Sequence, residues 1–312
     1  MKVAIIGGGG RVGGDTAFAL QLGGVVQELA IIDADENMAK GEALDLRHGS
    51  SMSSSQRIYA GGYEACEGAD IIVVTAGLRR KPDESRLSLI NRNVELFKTI
   101  LEEMKKARPN PRGVILVVAN PVDILTYMAV KANIFPPNQV IGLGTVLDTC
   151  RFRSFLGEHY KVDPTQVSAL ILGEHGDSMV PIWSTAAVNG VPLWSLPGYR
   201  EDEAVRIFEN TRKSGAEVIK LKGGAGRAVA VAIKQVVDAI ALDKKALLPV
   251  SSLQTGLMGI TDVCLSQPTW VGKGGVEGLV EMTLWDKEKM ALQASGAVLK
   301  QTLGQVMAGT PA

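Results

Sequence analysis

The sequence predicts an α/β fold in which a doubly wound parallel sheet precedes an α+β substrate domain. In the first half of the chain, short β-branched apolar runs alternate with helix-length amphipathic segments. This order is typical of parallel strands that are joined by helices. A glycine-rich turn follows the first apolar run, and the alternation ends near Gly144. We therefore expect a dinucleotide-binding domain at residues 1–143 and a catalytic domain at residues 144–312.

Five apolar runs of the first half have the length and composition of buried strands. They are Val3–Ile6, Leu29–Ile32, Ile71–Thr75, Val114–Val118 and Val140–Ile141. Helical patterns lie between several of them, at Asp15–Leu22, Ala39–His48 and Asn91–Lys106. In the second half we predict helices at Glu201–Lys222, Ala225–Leu242 and Lys287–Val306, and strands at Leu247–Leu253, Val263–Leu265 and Gly278–Leu284.

Composition excludes several classes of function. The 33 basic and 33 acidic residues cancel, so no overall positive field would gather nucleic acid. The first apolar run follows the initial Met-Lys directly, without the pattern of a secretion signal, and no apolar stretch approaches the length of a membrane span. Cys66, Cys150 and Cys264 lack metal-ligand spacing. We expect a cytoplasmic protein with reduced thiols, no metal site, and no nucleic-acid or membrane partner.

The glycine-rich turn reads Gly7-Gly8-Gly9-Gly10-Arg11-Val12-Gly13. It satisfies the spacing G-x-G-x-x-G through Gly8, Gly10 and Gly13, and also G-x-x-G-x-x-G through Gly7, Gly10 and Gly13, so two registers stay open. In either register, the missing side chains let backbone N–H groups approach a pyrophosphate at the positive end of the next helix.

A carboxylate stands where a dinucleotide site needs one. Asp33 lies twenty residues beyond Gly13, at the end of the second apolar run. There it would accept hydrogen bonds from the ribose hydroxyls of NAD and would repel the 2′-phosphate of NADP. We therefore predict NAD as the cofactor. Asp35, two residues later, has the alternative role of capping the next helix.

A histidine and an ion pair form the candidate catalytic group. His175 lies in the polar turn Gly173-Glu174-His175-Gly176-Asp177-Ser178 and is one of three histidines in the chain. Asp148 and Arg151 are three apart on a predicted helix, so they share a face and could be an ordinary ion pair. In the functional interpretation, Asp148 orients the imidazole and Arg151 grips a substrate carboxylate.

A cationic loop follows the predicted strand Ile71–Thr75, at the end of the sheet where such folds bind ligands. Its sequence is Gly77-Leu78-Arg79-Arg80-Lys81-Pro82-Asp83-Glu84-Ser85-Arg86-Leu87. A guanidinium on this loop, such as that of Arg86, could close over a carbonyl oxygen on which negative charge develops.

Taken in order, these motifs resemble the lactate/malate dehydrogenase family over nearly the whole chain. The resemblance rests on the glycine turn, Asp33, Thr75-Ala76-Gly77, the loop Arg80–Arg86, Val118-Ala119-Asn120-Pro121-Val122-Asp123, Asp148–Arg151 and Gly173–Ser178. The four consecutive glycines are most similar to the archaeal-type, lactate-dehydrogenase-like malate dehydrogenases.

The resemblance implies a role for each matching residue. His175 would be the general acid/base, Asp148 its partner, Arg86 the residue that polarises the carbonyl, Arg151 the clamp on the C1 carboxylate, and Asn120 a ligand of the substrate oxygen. The implied cofactor contacts are Gly7, Gly8, Gly10, Arg11, Val12, Gly13, Asp33, Thr75, Gly77, Asn93, Val118 and Asn120. The family resemblance also implies a homodimer or homotetramer.

Arg80 decides the expected substrate. Malate enzymes of the family carry arginine at this loop position and lactate enzymes carry glutamine, so the resemblance favours malate and oxaloacetate, a dicarboxylate pair of the tricarboxylic acid cycle. Ala225 also favours malate, whereas Glu84 resembles the lactate version of the loop. An L-lactate dehydrogenase is the closest alternative. A dinucleotide-binding protein without catalysis is an alternative of another class, which the group His175, Asp148, Arg86 and Arg151 argues against.

Overall fold

The structure, a computed structural model, describes residues 1–79 and 83–308. Parallel strands form the core of the first half. They are β1 (Lys2–Ile6), β2 (Glu28–Ile32), β3 (Arg57–Ala60), β4 (Ile71–Val74), β5 (Val114–Val117) and β6 (Val140–Gly142). The helices of this half are α1 (Arg11–Gly23), α2 (Glu36–Gly49), α3 (Arg86–Lys106), α4 (Val122–Lys131) and α5 (Val146–Tyr160).

The second half mixes long helices with antiparallel strands. The helices are α6 (Glu201–Lys222), α7 (Arg227–Ala241) and α8 (Asp286–Met307). The strands are β7 (Val167–Leu172), β8 (Val180–Val188), β9 (Val191–Pro192), β10 (Ala246–Leu248), β11 (Ser251–Thr255), β12 (Thr261–Ser266), β13 (Thr269–Gly272) and β14 (Gly275–Leu279).

The main sheet has the strand order β12-β11-β6-β5-β4-β1-β2-β3. Strands β1 to β6 are parallel, and their order is that of a Rossmann fold, which confirms the predicted fold class. The sheet is nevertheless mixed, because β11 pairs antiparallel with β6 and β12 with β11. Two strands from the second half thus cover the edge of β6, which would otherwise expose unpaired backbone groups.

Helices cover both faces of this sheet, which explains why its strands are apolar throughout. All residues of β4 and β5 are buried. Phe97 of α3 belongs to the core cluster on one face, and Ile233 of α7 belongs to the cluster on the other. Helix α7 also packs along α1, so the second half completes the core of the first. Within residues 1–79 and 83–308, no helix combines the length and apolar content of a membrane span.

Several element boundaries differ from the sequence prediction. Helix α1 begins at Arg11, four residues earlier than predicted, because the glycine turn leads directly into it. The predicted strand Leu247–Leu253 is divided around Pro249 between β10 and β11, which belong to different sheets. Proline lacks the N–H that a continuous strand requires. The predicted strand Gly278–Leu284 instead ends at Leu279. Strands β3, β7 and β8 were not predicted.

Candidate active site

The glycine turn has no room for side chains. Gly7 has φ +86°, and a Cβ on it would lie 2.6 Å from the backbone nitrogen of Ala76. A Cβ on Gly13 would lie 2.2 Å from the carbonyl oxygen of Gly7. Gly10 precedes α1 and has no side chain to cap it, so the first-turn N–H groups are left for a ligand. The turn therefore fits the pyrophosphate of a dinucleotide.

Asp33 follows β2 and faces this turn. Its Oδ2 accepts a hydrogen bond from the Gly9 N–H at 3.0 Å, and its Oδ1 accepts one from the Asp35 N–H at 3.1 Å. Asp35 caps α2 by accepting from the N–H groups of Asn37 and Met38, which confirms the alternative role foreseen for it. The position of Asp33 at a strand end beside the glycines is that of a ribose ligand.

Two of the predicted cofactor residues, Thr75 and Asn93, have structural contacts of their own. The Thr75 hydroxyl lies 3.1 Å from the carbonyl oxygens of both Ile6 and Gly7, and this hydrogen bonding stabilises the start of the glycine turn. Asn93 is buried, and its Oδ1 accepts from the Leu78 N–H at 2.7 Å. The predicted contacts of Thr75 and Asn93 with a cofactor stay predictions.

The Arg11 guanidinium reaches across to the second half of the chain. Its Nη1 donates to the carbonyl oxygens of Lys222 and Gly224, at 3.1 and 2.8 Å. Arg11 therefore satisfies backbone acceptors at the C-terminal end of α6, and it ties the glycine turn to the segment between α6 and α7.

His175 and Asp148, 27 residues apart, come together in the structure. His175 lies in the loop after β7, and its Nδ1 is 2.5 Å from Oδ2 of Asp148 in the first turn of α5. The Asp148 side chain is 1% exposed, whereas that of His175 is 22% exposed. The imidazole is thus anchored on one ring nitrogen and accessible in part, as proton transfer requires.

Opposite charges determine the protonation of this pair. Burial by itself lowers the pKa of His175, but the carboxylate of Asp148 outweighs burial and raises that pKa above 6.5. Burial would raise the pKa of Asp148, yet the charges and hydrogen bonds of His175 and Arg151 bring it below 3.8. The pair therefore favours an imidazolium beside a carboxylate.

Arg151 completes the group on the same helix. Its Nη1 donates to Oδ1 of Asp148 at 3.0 Å, and 17% of its side chain is exposed. Gly215 of α6 lies against the guanidinium: a Cβ on it would be 3.5 Å from Nη1 and Nη2. The ion pair between Asp148 and Arg151, which was the alternative interpretation of these two residues, is therefore present. It holds Arg151 close to the carboxylate that also bonds the imidazole.

A cavity of about 770 Å³ opens beside His175. Its volume lies within the range of sites for cofactors and small ligands. Asn120, which follows β5, faces this cavity together with the imidazole. The remaining wall comes from the loop after β4, from α3 and from the last turns of α8. Asn120 and His175, predicted on separate motifs, therefore share one site.

Two predicted site residues are not located. Arg80 lies outside the described residues, as does the side chain of Arg86. Between them, Glu84 is described: its side chain is only 7% exposed, and both of its oxygens accept from Nη1 of Arg92, at 2.8 and 3.0 Å. This partly buried ion pair attaches the loop to the first turns of α3.

The structure also brings in residues that the sequence analysis missed. Ser295 of α8 donates to or accepts from Ser178 at 3.0 Å, and its hydroxyl accepts from the Glu174 N–H at 2.9 Å. Glu174 in turn accepts from the Ser178 N–H. These contacts fix both ends of the His175 loop on α8. An isolated serine in a helix gives no sequence signal, although Glu174 and Ser178 lie within the histidine motif.

Known families match both halves of the chain. Residues 1–142 match the family described as "lactate/malate dehydrogenase, NAD binding domain", and residues 145–310 match "lactate/malate dehydrogenase, alpha/beta C-terminal domain". The chain belongs to the lactate/malate dehydrogenase family. It is accordingly an NAD-dependent 2-hydroxyacid dehydrogenase, and the glycine turn with Asp33 is where its own residues fit NAD.

Relatives from this family align with almost the full length of the chain. The L-lactate dehydrogenase of Acetivibrio thermocellus is 43% identical over 307 residues, covering 97% of this chain and 96% of that protein. The L-lactate dehydrogenase 1 of Clostridium acetobutylicum is 41% identical and covers 98% of both. The crystal structure of a lactate dehydrogenase from a Medee basin deep-sea metagenome library has a TM-score of 0.94 and 34% identity, with 98% of each chain covered.

These relatives overturn the expected substrate. We predicted malate dehydrogenase from Arg80, and that prediction is wrong, because the relatives at 41–43% identity are named for L-lactate. The associated place in the tricarboxylic acid cycle is likewise unsupported. The prediction gave one loop position, Arg80, more weight than the rest of the chain. The rest of the chain includes Glu84, which resembles the lactate version of the same loop. The expected dimer or tetramer stays a prediction.

Proposed function

We propose that this chain is an NAD-dependent L-lactate dehydrogenase, which interconverts L-lactate and pyruvate. The observation that carries the proposal is the arrangement around Asp148. One buried carboxylate bonds the imidazole of His175 through Oδ2 and the guanidinium of Arg151 through Oδ1. A proton carrier therefore lies beside a cation that can bind a carboxylate, and a 2-hydroxy acid needs both.

The choice of a monocarboxylate is supported by the relatives and by Glu84. The relatives' names specify L-lactate. Glu84 places a buried carboxylate in the loop that borders the site. Its charge is paired with Arg92, so Glu84 supports the choice only as the residue that resembles the lactate version of the loop.

Each residue of the site has its own role in the proposed oxidation of lactate. His175 takes the hydroxyl proton on Nε2, because Nδ1 is held by Asp148. The Asp148 carboxylate stabilises the imidazolium that results, and Arg151 binds the C1 carboxylate. The Asn120 amide donates to the C2 oxygen, and Arg86, by family resemblance, polarises the same oxygen. NAD, when bound, supplies the acceptor for the hydride that leaves C2.

The reverse reaction tests the proposal directly. Initial rates of NADH consumption are measured over a concentration series of pyruvate and, in parallel, of oxaloacetate. We expect kcat/KM to be higher for pyruvate. A higher value for oxaloacetate would overturn the substrate assignment, and inactivity with both would overturn the proposed enzyme. The variant Arg80→Gln removes a loop cation, so the ratio of pyruvate to oxaloacetate activity should rise further in it.

A further inference from the structure

Arg11 joins the cofactor turn to the end of helix α6. It is the first residue of α1, directly after Gly10, and its Nη1 donates to the carbonyl oxygens of Lys222 and Gly224 at 3.1 and 2.8 Å. Lys222 is the last residue of α6. Carbonyl groups at a helix C-terminus lack partners within the helix, and positive charge is favoured at this end. The guanidinium therefore supplies donors and a charge that suit the end of α6.

The segment that follows α6 has little stiffness of its own. Gly223 has φ +76° and Gly224 has φ +152°, both in the region that favours glycine. Gly226 packs directly against α1, because a Cβ on it would lie 2.1 Å from Oδ2 of Asp15 and 2.9 Å from Cγ of Arg11. Contacts with α1 therefore hold this segment in place, and the two hydrogen bonds of Arg11 are among them.

Further along α6 lies the proposed substrate clamp. Gly215 of α6 is in contact with the Arg151 guanidinium, since a Cβ on Gly215 would be 3.5 Å from both Nη1 and Nη2. Helix α6 also packs along α5, the helix that carries Arg151. From Gly215 to Lys222 the helix makes about two turns, roughly 10 Å. A shift of the end of α6 would therefore move the surface on which the Arg151 guanidinium lies.

These contacts form a continuous path between the cofactor half and the substrate half of the site. The path leads from the glycine turn through Arg11 to the end of α6, and from α6 through Gly215 to Arg151. If two residues act along one path, substitutions of both give effects that are not additive. Coupling between Arg11 and Arg151 can therefore be measured.

We propose that Arg11 is a positioning residue: it fixes the end of α6 at the cofactor turn and thereby holds Arg151 in place for the C1 carboxylate of the substrate. This role differs from the direct cofactor contact that the sequence predicts for Arg11. Only the assignment of Arg151 as the carboxylate clamp is taken from the proposed function. The attachment of α6 to α1 can be tested without any turnover.

The test removes the guanidinium and keeps the stem of the side chain. Arg11→Met retains an unbranched stem for the contact with Gly226 but has no donor for the two carbonyl oxygens at the end of α6. Arg206→Met is the matched control, because Arg206 is an exposed arginine on the same helix and pairs with Glu203. Arg11 and Arg206 are both exposed, so each variant should fold as the wild type does.

Hydrogen exchange of the full-length protein without ligands reports on the attachment itself. Peptides that span residues 219–227 should exchange about fivefold or more faster in Arg11→Met than in the wild type, because local opening becomes easier. Peptides from α8 should exchange equally in both proteins, and Arg206→Met should match the wild type over residues 219–227. Equal exchange of these residues in Arg11→Met and wild type would overturn the inference.

Steady-state kinetics and NADH binding separate positioning of the clamp from direct contact with the cofactor. In Arg11→Met the KM for pyruvate should rise by about 3- to 10-fold, with kcat changed less than about twofold. The dissociation constant of NADH, measured by fluorescence titration, should change less than about threefold, because the backbone N–H groups of the turn remain. A dissociation constant raised about tenfold or more with an unchanged KM for pyruvate would identify a direct cofactor ligand and refute the positioning role.

A double-mutant cycle tests whether Arg11 acts through Arg151. In an Arg151→Lys background, Arg11→Met should raise the KM for pyruvate by a smaller factor than in the wild type, because the two residues do not act independently. Arg206→Met should leave this KM unchanged in both backgrounds. The same factor for Arg11→Met in both backgrounds would contradict an action through Arg151.

Failure of the proposed function would give a different result. If oxaloacetate proves the better substrate, the same rise should appear in its KM, because oxaloacetate carries the same C1 carboxylate. Inactivity of the wild type with both acids would contradict the proposed function, and the hydrogen exchange of residues 219–227 would still decide whether Arg11 fixes the end of α6.

Discussion

The Nδ1 atom of His175 lies 2.5 Å from Oδ2 of Asp148, a buried carboxylate. The bond joins the loop after β7 to the first turn of α5. Because it occupies one ring nitrogen, it leaves the other for the substrate, and the buried charge favours the protonated ring. The chemistry proposed for the site follows from this one contact.

Replacing His175 by asparagine should lower kcat for pyruvate reduction by about 100- to 10,000-fold, because the variant has no group that titrates in the useful range. Steady-state kinetics with NADH measure the effect. His48→Asn on α2 is the matched control and should retain wild-type turnover. If His175→Asn retained turnover close to the wild type, the proposed acid/base role would be refuted.

Replacing Arg151 by lysine should raise the KM for pyruvate by about 10- to 100-fold. Lysine keeps the charge but lacks the planar fork that binds a carboxylate through two hydrogen bonds, and each bond to a charged group contributes roughly 1.5–3 kcal/mol. The exposed pair Arg212–Glu209 on α6 offers the control Arg212→Lys, which should leave KM unchanged. Equal KM values for wild type and Arg151→Lys would exclude Arg151 as the clamp.

Replacing Asp33 by alanine should increase the activity with NADPH relative to NADH by tenfold or more, on the order of 1.4 kcal/mol. The loss of the carboxylate removes both a ribose acceptor and the repulsion of a 2′-phosphate. Asp35→Ala, in the same loop, should lower stability by about 1 kcal/mol through its cap on α2 without changing the cofactor ratio. A cofactor ratio that is identical in Asp33→Ala and wild type would contradict the ribose role.

The stability of Asp123→Asn should depend on pH differently from that of the wild type. Burial raises the pKa of Asp123 from 3.8 to about 6, so the folded state binds this proton more tightly than the unfolded state. Wild-type stability from this group therefore declines as pH rises through that window, whereas asparagine does not titrate. The free energy of unfolding of the variant relative to wild type should rise by up to about 3 kcal/mol between pH 4 and pH 7. Urea unfolding at several pH values measures it, and a constant difference would contradict the raised pKa.

Local patterns in the sequence predicted most of the nucleotide-binding half, although strand β3 was missed. β-branched runs separated by helical periods predict parallel strands, and a glycine turn with a carboxylate at the next strand end predicts the site for NAD. Two interpretations of Asp148 stayed open until the family resemblance favoured its approach to His175, because 27 residues separate the two. The antiparallel pairing of β11 with β6 was not predicted, because nothing in the sequence of β11 specifies its partner strand.

The remaining parts of the site depend on contacts between elements that are far apart in sequence. A single residue gives no sequence signal of such a contact. Ser295 is an isolated serine, and only the packing of α8 brings it to the His175 loop. Substrate choice failed for a related reason. The charge of Arg80 was given more weight than Glu84, although the free energy of substrate binding depends on all charges around the loop.

The pH dependence of pyruvate reduction tests the central claim most directly, because the reaction requires protonated His175. The wild-type kcat/KM should stay high at low pH and fall as pH rises through an apparent pKa above 6.5, since Asp148 raises the pKa of His175. In Asp148→Asn, the loss of that charge should move the fall to lower pH and reduce the maximal rate. A profile with the same apparent pKa in wild type and variant would contradict the account.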